Sequence, residues 1–101
     1  MTDEQRIAEW LGWDSSAGIF FKNPLDWYYP DRFKDYLFSD SGQIAIINQF
    51  IKDGFYIGNW KLNKYGIITF SILSEHSFYS SHKPSLSEAI LDCAVKYLNK
   101  E

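Results

Sequence analysis

Two histidines, one cysteine and a scatter of carboxylates and hydroxyls are the groups of this 101-residue sequence that could carry out chemistry. His76 and His82 stand six apart. A zinc helix needs its two histidines at i and i+4, and a zinc finger needs paired cysteines. Cys93 is a single thiol and cannot complete a metal set with them. Both histidines therefore read as structural or surface residues. Catalysis by either would need a nucleophile and an orienting acid brought in by the fold. Ser80 and Ser81 lie close in sequence, but no nucleophile-elbow pattern surrounds them. Asp31 and Asp35 would share one face of a helical turn. Arg32 and Lys34 lie between them, which makes a solvated mixed-charge surface the simpler reading. Ser39-Asp40-Ser41-Gly42 could open a helix whose free amides favour a phosphate near Ser41. Asp40 would oppose that unless its carboxylate is occupied in capping. The expectation is no catalytic residue, no metal and no cofactor.

The aromatic residues are richer in information. Four Trp, seven Tyr and eight Phe make up 19% of the chain. Strand alternation forces at least one ring of Trp27-Tyr28-Tyr29 onto a different face from its neighbours, and the same holds for Tyr56 and Trp60 against Phe55 and Ile57. Some rings should therefore stand outside the main core. Trp27, Tyr29 and Trp60 could stack on a nucleobase, with Arg32, Lys61 and Lys64 to meet its phosphates. The same rings would also suit a second small cluster packed under the first helix.

Composition limits the alternatives. The length fits a single domain, residues 1–101, large enough to fold without staples. The formal charge of −3 argues against a nucleic-acid coat or a membrane-surface protein, which need clustered Lys and Arg. The acids gather in the first half: residues 1–40 carry eight acids and four bases, residues 41–101 five acids and six bases. A lone cysteine rules out an intrachain disulfide. The acidic start lacks the apolar stretch of a signal peptide, and no apolar run reaches the ~18–20 residues of a membrane span. The cytosol is the expected location.

The elements that must position these residues follow from periodicity. Thr2–Leu11 reads as a helix with a Thr2/Gln5 capping box, an Ile7, Trp10, Leu11 stripe, and Gly12 as its stop. Residues 18–29 read as a hairpin turning at Asn23-Pro24, with Pro30 ending the second strand. Residues 31–42 fit either a helical turn or a packed loop. Asp40–Asp53 reads as the next helix, capped by Asp40 and stopped by Gly54. Phe55–Leu62 and Gly66–Ser74 are two strands of a hairpin, with Ile68, Phe70 and Ile72 on one face. Phe78–Ser81 could add a third strand. Both faces are fairly apolar, so helices should cover part of each. Ser85–Asn99, with Ser85 and Glu88 as a capping box, is the clearest helix, and Cys93 falls in its core stripe. The expected fold is α+β: a short antiparallel sheet, made of a hairpin plus a three-strand meander, packed with three helices.

Ile7-Ala8-Glu9-Trp10-Leu11-Gly12-Trp13 resembles the opening of the phage αβα-sandwich (ABA sandwich) domains. Ser87-Glu88-Ala89-Ile90 followed by Ala94 resembles the start of their last helix, and Phe38-Ser39-Asp40 stands at the step before their middle helix. The resemblance spans nearly the whole chain and implies an αβα-sandwich-like fold in a phage or prophage protein. It carries no catalytic residues to transfer. It implies a small accessory protein of the host bacterial cytosol that binds something of the host. The sharpest expectation is a non-enzymatic sponge for a nucleotide second messenger of anti-phage defence, with Trp27, Tyr29, Arg32, Ser41, Trp60, Lys61 and Lys64 as ligand-binding residues. A site on so small a domain often deepens at a subunit interface, so a homo-oligomer is expected, with neither DNA, RNA nor membrane as partner. The alternatives are a protein-interaction module inhibiting a host protein, and a nucleotide-signal hydrolase.

Overall fold

The computed structural model describes residues 2–100, and for Asn59 the backbone only. The fold is α+β, with ten elements in the order α1 (Asp3–Trp10), β1 (Asp14–Ser16), β2 (Ile19–Asn23), β3 (Asp26–Tyr28), α2 (Pro30–Phe38), α3 (Asp40–Lys52), β4 (Tyr56–Leu62), β5 (Ile68–Leu73), β6 (Phe78–Lys83) and α4 (Leu86–Leu98). The strands make two separate antiparallel sheets, β1-β2-β3 and β4-β5-β6. The hairpin and the meander thus do not merge into one sheet. Helices lie between them: α4 packs on β5 and β6 and also against α1, α2 and α3, while the first sheet rests on α1 and α2.

Local chemistry accounts for most element ends. The Thr2 hydroxyl accepts the Gln5 amide at 3.2 Å, and the Gln5 side chain accepts the Thr2 amide at 2.8 Å, so the expected capping box is complete. The chain then turns at Gly12, with φ at +86°, a conformation open to glycine at little cost. Asn23 accepts the Leu25 amide at 2.9 Å, and this closes the β2–β3 turn beside Pro24. Asn63 does the same after β4, accepting the amides of Tyr65 and Ile67. Ser85 caps α4 by accepting the Glu88 amide.

Four features depart from the sequence reading. Residues 30–38 form a full helix. Pro30 opens it rather than simply ending a strand, because the first helical position needs no amide donor. Phe33, Tyr36 and Leu37 supply its inward stripe. Next, the cap of α3 is Ser39 and not Asp40: the Ser39 hydroxyl accepts the Gly42 amide at 3.2 Å, leaving Asp40 inside the first turn. A further strand, β1, precedes the hairpin. It joins β2 through Ala17 and Gly18, both at positive φ. An Ala-Gly pair is a weaker hairpin signal than Asn-Gly, since alanine tolerates that backbone poorly. Finally, α4 covers one face of the second sheet, and the opposite face, where Tyr56 and Phe78 stand exposed, has no comparable cover.

The core is aromatic at both ends. Phe20 of β2 stacks on Phe33 of α2 at 4.4 Å, and Trp13 packs edge-on to Phe33 at 5.0 Å. At the other end Phe50, Phe55, Tyr79 and Tyr97 meet in tilted and edge-to-face pairs, joined by Trp10. Phe70 and Ile72 of β5 are buried against α4, as the alternation of β5 requires. The Cys93 thiol is buried beside the Phe70 carbonyl, and burial pushes its pKa up to about 12. It behaves as a small core residue, not a reactive thiol.

Candidate functional site

The Trp27-Tyr28-Tyr29 segment is split by strand geometry as alternation demands. Tyr28 pairs with buried Phe20 across the ladder and turns inward, to within 5.5 Å of the Trp13 ring. Trp27 pairs with Phe21 on the opposite face and is 46% exposed. Tyr29 sits at the N-cap position of α2 and is 57% exposed. The two exposed rings meet edge to face at 5.2 Å. One helical turn on, Arg32 joins them. Together with Asp26 and Tyr28 these residues line an open cleft of about 340 Å³. Burial first, then the neighbouring Tyr28 and Asp26, raise the Tyr36 phenol above its ordinary pKa, so it stays neutral behind this cleft.

Chemically, the cleft offers one aromatic face for a planar ring, with the second aromatic ring at 86° to it, a guanidinium for an anion and the Asp26 carboxylate for an amine donor. Arg32 forms no ion pair within 4.0 Å among the described residues, so its charge is available. A neighbouring hollow of about 430 Å³ is formed by Asp14, Ser15, Ser16, Phe21, Asn23 and Pro24. It is larger, but it holds a carboxylate and no cation. It would repel a phosphate and suits hydroxyl or amine groups instead.

The remaining expected site residues lie elsewhere. Trp60 and Lys61 are on β4, in the other sheet, and Lys64 is in the turn after it. Lys64 lies over the Tyr65 ring at 5.1 Å. Lys61 lines a shallow hollow with Gly58, Thr69, Ser71, Leu73 and Phe78. Ser41 is exposed in the first turn of α3, where the cap amide of Gly42 is already taken by Ser39. The seven residues are therefore divided among three places: Trp27, Tyr29 and Arg32 in one cleft, Trp60, Lys61 and Lys64 along β4, and Ser41 alone.

Ser81 and His82 are held in contacts between structural elements. Ser81 is fully buried and donates its hydroxyl to Asp92 at 2.6 Å, which ties β6 to α4. Lys96 reaches the same carboxylate at 3.2 Å and the Ser80 carbonyl at 2.9 Å. Burial alone would raise the Asp92 pKa, but the Ser81 hydroxyl and the Lys96 ammonium outweigh it and hold it below the ordinary value. His82 shares a 2.8 Å hydrogen bond with Thr69, while His76 lies before β6. Among the described residues no three potential ligands gather as a metal site.

One polar node escaped the sequence reading. Asp53, at the C-cap of α3, accepts the Trp10 indole N–H at 2.7 Å, the Tyr97 hydroxyl at 2.8 Å and the Gln49 amide at 3.3 Å. Burial, with the hydrogen bond to Asp53 added, pushes the Tyr97 pKa up to about 12. The partners lie 43 and 44 residues away from Asp53, so no local pattern announces them. The node joins three helices and serves structure.

Comparison with family models, with curated proteins and with solved structures found no match for this chain. The class defined by the fold is a small two-sheet α+β domain. No helix among the described residues is long and apolar enough to cross a membrane.

Proposed function

We propose that the protein is a non-catalytic binding protein, a phage or prophage accessory domain that holds one base-and-phosphate unit of a signalling nucleotide. The observation that carries this reading is the cleft where Trp27 and Tyr29 meet beside Arg32. A planar base would stack on one of the two exposed rings and meet the other edge-on, the stack being worth about 1–3 kcal/mol. Its phosphate would meet the Arg32 guanidinium, and Asp26 would accept an exocyclic amine. Size decides how much of a ligand fits. A volume of about 340 Å³ is at the lower end for ligand pockets, roughly 300–1,000 Å³. It would hold a mononucleotide unit, so a cyclic dinucleotide would need two clefts. The phage assignment rests on the sequence resemblance, and sequestration of a host defence messenger is the role that follows from it.

Calorimetry against a panel of cyclic dinucleotides and ADP-ribose derivatives tests the reading. One of them should bind, and Trp27→Ala and Arg32→Ala should each weaken it by about tenfold or more. Absence of heat with every member of the panel would sink the ligand assignment. A second reading, a module that binds a host protein, is favoured by Leu25, which at 94% exposure stands apolar at the tip of the same hairpin. It predicts capture of one host protein, lost in Leu25→Asp and Trp27→Asp, with no small-molecule binding.

A further inference from the structure

The largest unexplained feature of the molecule is the concentration of exposed apolar side chains on and just after β4. Tyr56, Ile57, Trp60, Leu62 and Tyr65 are all exposed. The ladder assigns them to faces. Ile57, Trp60 and Leu62 pair with Ile72, Phe70 and Ile68, and so stand on the face that α4 covers farther along, over β5 and β6. Tyr56 pairs with Leu73 on the opposite face. Lys61, paired with Thr69, shares that opposite face, so the apolar side of the strand is the one that carries Ile57, Trp60 and Leu62.

β4 is also an edge strand. Its outward amides and carbonyls have no strand partner in the sheet. Natural edges are blunted by charges, proline, bulges or short length. β4 has seven residues, a single lysine, no proline and one irregularity between Ile57 and Trp60. An occupant that merely lay on one face would leave the open ladder and Tyr56 in water. An occupant that adds a strand pairs the open ladder and sets its own side chains beside those of β4 on both faces.

We infer that a second copy of this chain pairs through β4, antiparallel about a twofold axis, and joins the two β4-β5-β6 sheets into one six-stranded sheet. A twofold contact uses the same patch on both copies, so each copy supplies what the other needs. Area supports this occupant. Exposed to half or more, Tyr56, Trp60 and Tyr65 each have about 100 Å² to lose. With Ile57 and Leu62 the patch reaches about 500 Å² for one copy and about 1,000 Å² for two, the threshold of a specific interface. The one charge on the strand is Lys61, which offers little to attract a strongly charged macromolecule. The dimer is independent of the Trp27 cleft, which belongs to the other sheet.

Sedimentation of the full chain, at concentrations on both sides of about 10 µM, tests it, because interfaces near this size are commonly weak and transient. The unmodified protein should pass from monomer to dimer. Trp60→Glu and Leu62→Glu should each weaken the dimer, Trp60→Glu by about 30-fold or more. Ile51→Glu, on the exposed side of α3, should leave it unchanged. Circular dichroism checks that the variants fold. A measurement without any variant supplements them: hydrogen exchange at the outward amides of β4 should slow as concentration rises. A monomer at every concentration overturns the inference. So does a dimer indifferent to both β4 variants, one weakened equally by Ile51→Glu, or exchange at β4 that ignores concentration.

Discussion

Replacing Asp53 with alanine should lower stability by about 1 kcal/mol, and the magnitude can be worked from its contacts. The carboxylate accepts three hydrogen bonds, from Trp10, Tyr97 and Gln49, at 2.7, 2.8 and 3.3 Å. Bonds to a buried charge are worth about 1.5–3 kcal/mol each, but Asp53 is exposed and water competes. About 0.5–1 kcal/mol for each of the two short bonds, and less for the long one, is the appropriate scale. A carboxylate at a helix C-terminus also opposes the helix dipole, and its removal returns about 0.3–1 kcal/mol. The net loss, about 1 kcal/mol at the centre of these ranges, corresponds to about 4–8 °C in Tm for a domain of this size. Asp53→Asn, which keeps an acceptor oxygen and loses the misplaced charge, should cost less than half as much. Thermal melts followed by circular dichroism give the stability. Tyrosinate absorbance gives a second readout: Tyr97 should ionise at lower pH in Asp53→Ala, though still above its ordinary value because burial remains. A variant melting within about 2 °C of the parent would refute the reasoning, since a loss of about 1 kcal/mol lowers Tm by at least about 4 °C.

Glycine substitutions should separate a backbone clash from a side-chain one. A Cβ on Gly42 would lie 2.0 Å from the Tyr36 carbonyl oxygen and 2.9 Å from the Leu37 Cα, so Gly42→Ala must part α2 from α3 and should cost about 2–3 kcal/mol in denaturant unfolding. On Gly58 the nearest atom is the Leu73 Cδ2 at 2.9 Å, a side-chain end that can turn away, so Gly58→Ala should cost less than about 1 kcal/mol. In acid, the lowered Asp92 pKa means the folded state holds its charge where the unfolded state has begun to bind a proton. That stability is present above the unfolded carboxylate range and is lost as pH falls through the folded pKa. Ser81→Ala removes one cause of the shift, so it should flatten the acid limb of a pH–stability curve. In base the sign reverses. Cys93 and Tyr97 both have raised pKa values, so their contribution is intact below the unfolded values of 9.0 and 10.0 and is lost as pH climbs to about 12. Cys93→Ala should remove the first part of that decline, read by urea unfolding between those limits.

Much of the local structure was legible in the sequence because it depends on residues a few positions apart. The Thr2–Gln5 box, the Ser85 cap, the Asn23 and Asn63 turns and the alternation that buries Phe70 and Ile72 are all of this kind. Where two local devices competed, the pattern pointed to the wrong one. Ser39 and Asp40 can each cap a helix, and Ser39 took the role with Gly42 pressed against the end of α2. Likewise Pro30 can end a strand and begin a helix, and the stripe of Phe33, Tyr36 and Leu37 against Phe20 and Trp13 decided for the helix.

The sequence by itself determined that this chain has more aromatic rings than alternating strands can bury, and that Trp27, Tyr29 and Trp60 were candidates to stand outside. Only the tertiary structure decided where they went. Strand pairing is set by long-range contacts, and it divided the strands into two sheets with helices between them. Trp27 and Tyr29 were thereby placed beside Arg32, and Trp60 was left at the edge of the other sheet. The physical reason is that a ring's face follows from its position in a strand, whereas what covers that face depends on elements tens of residues away.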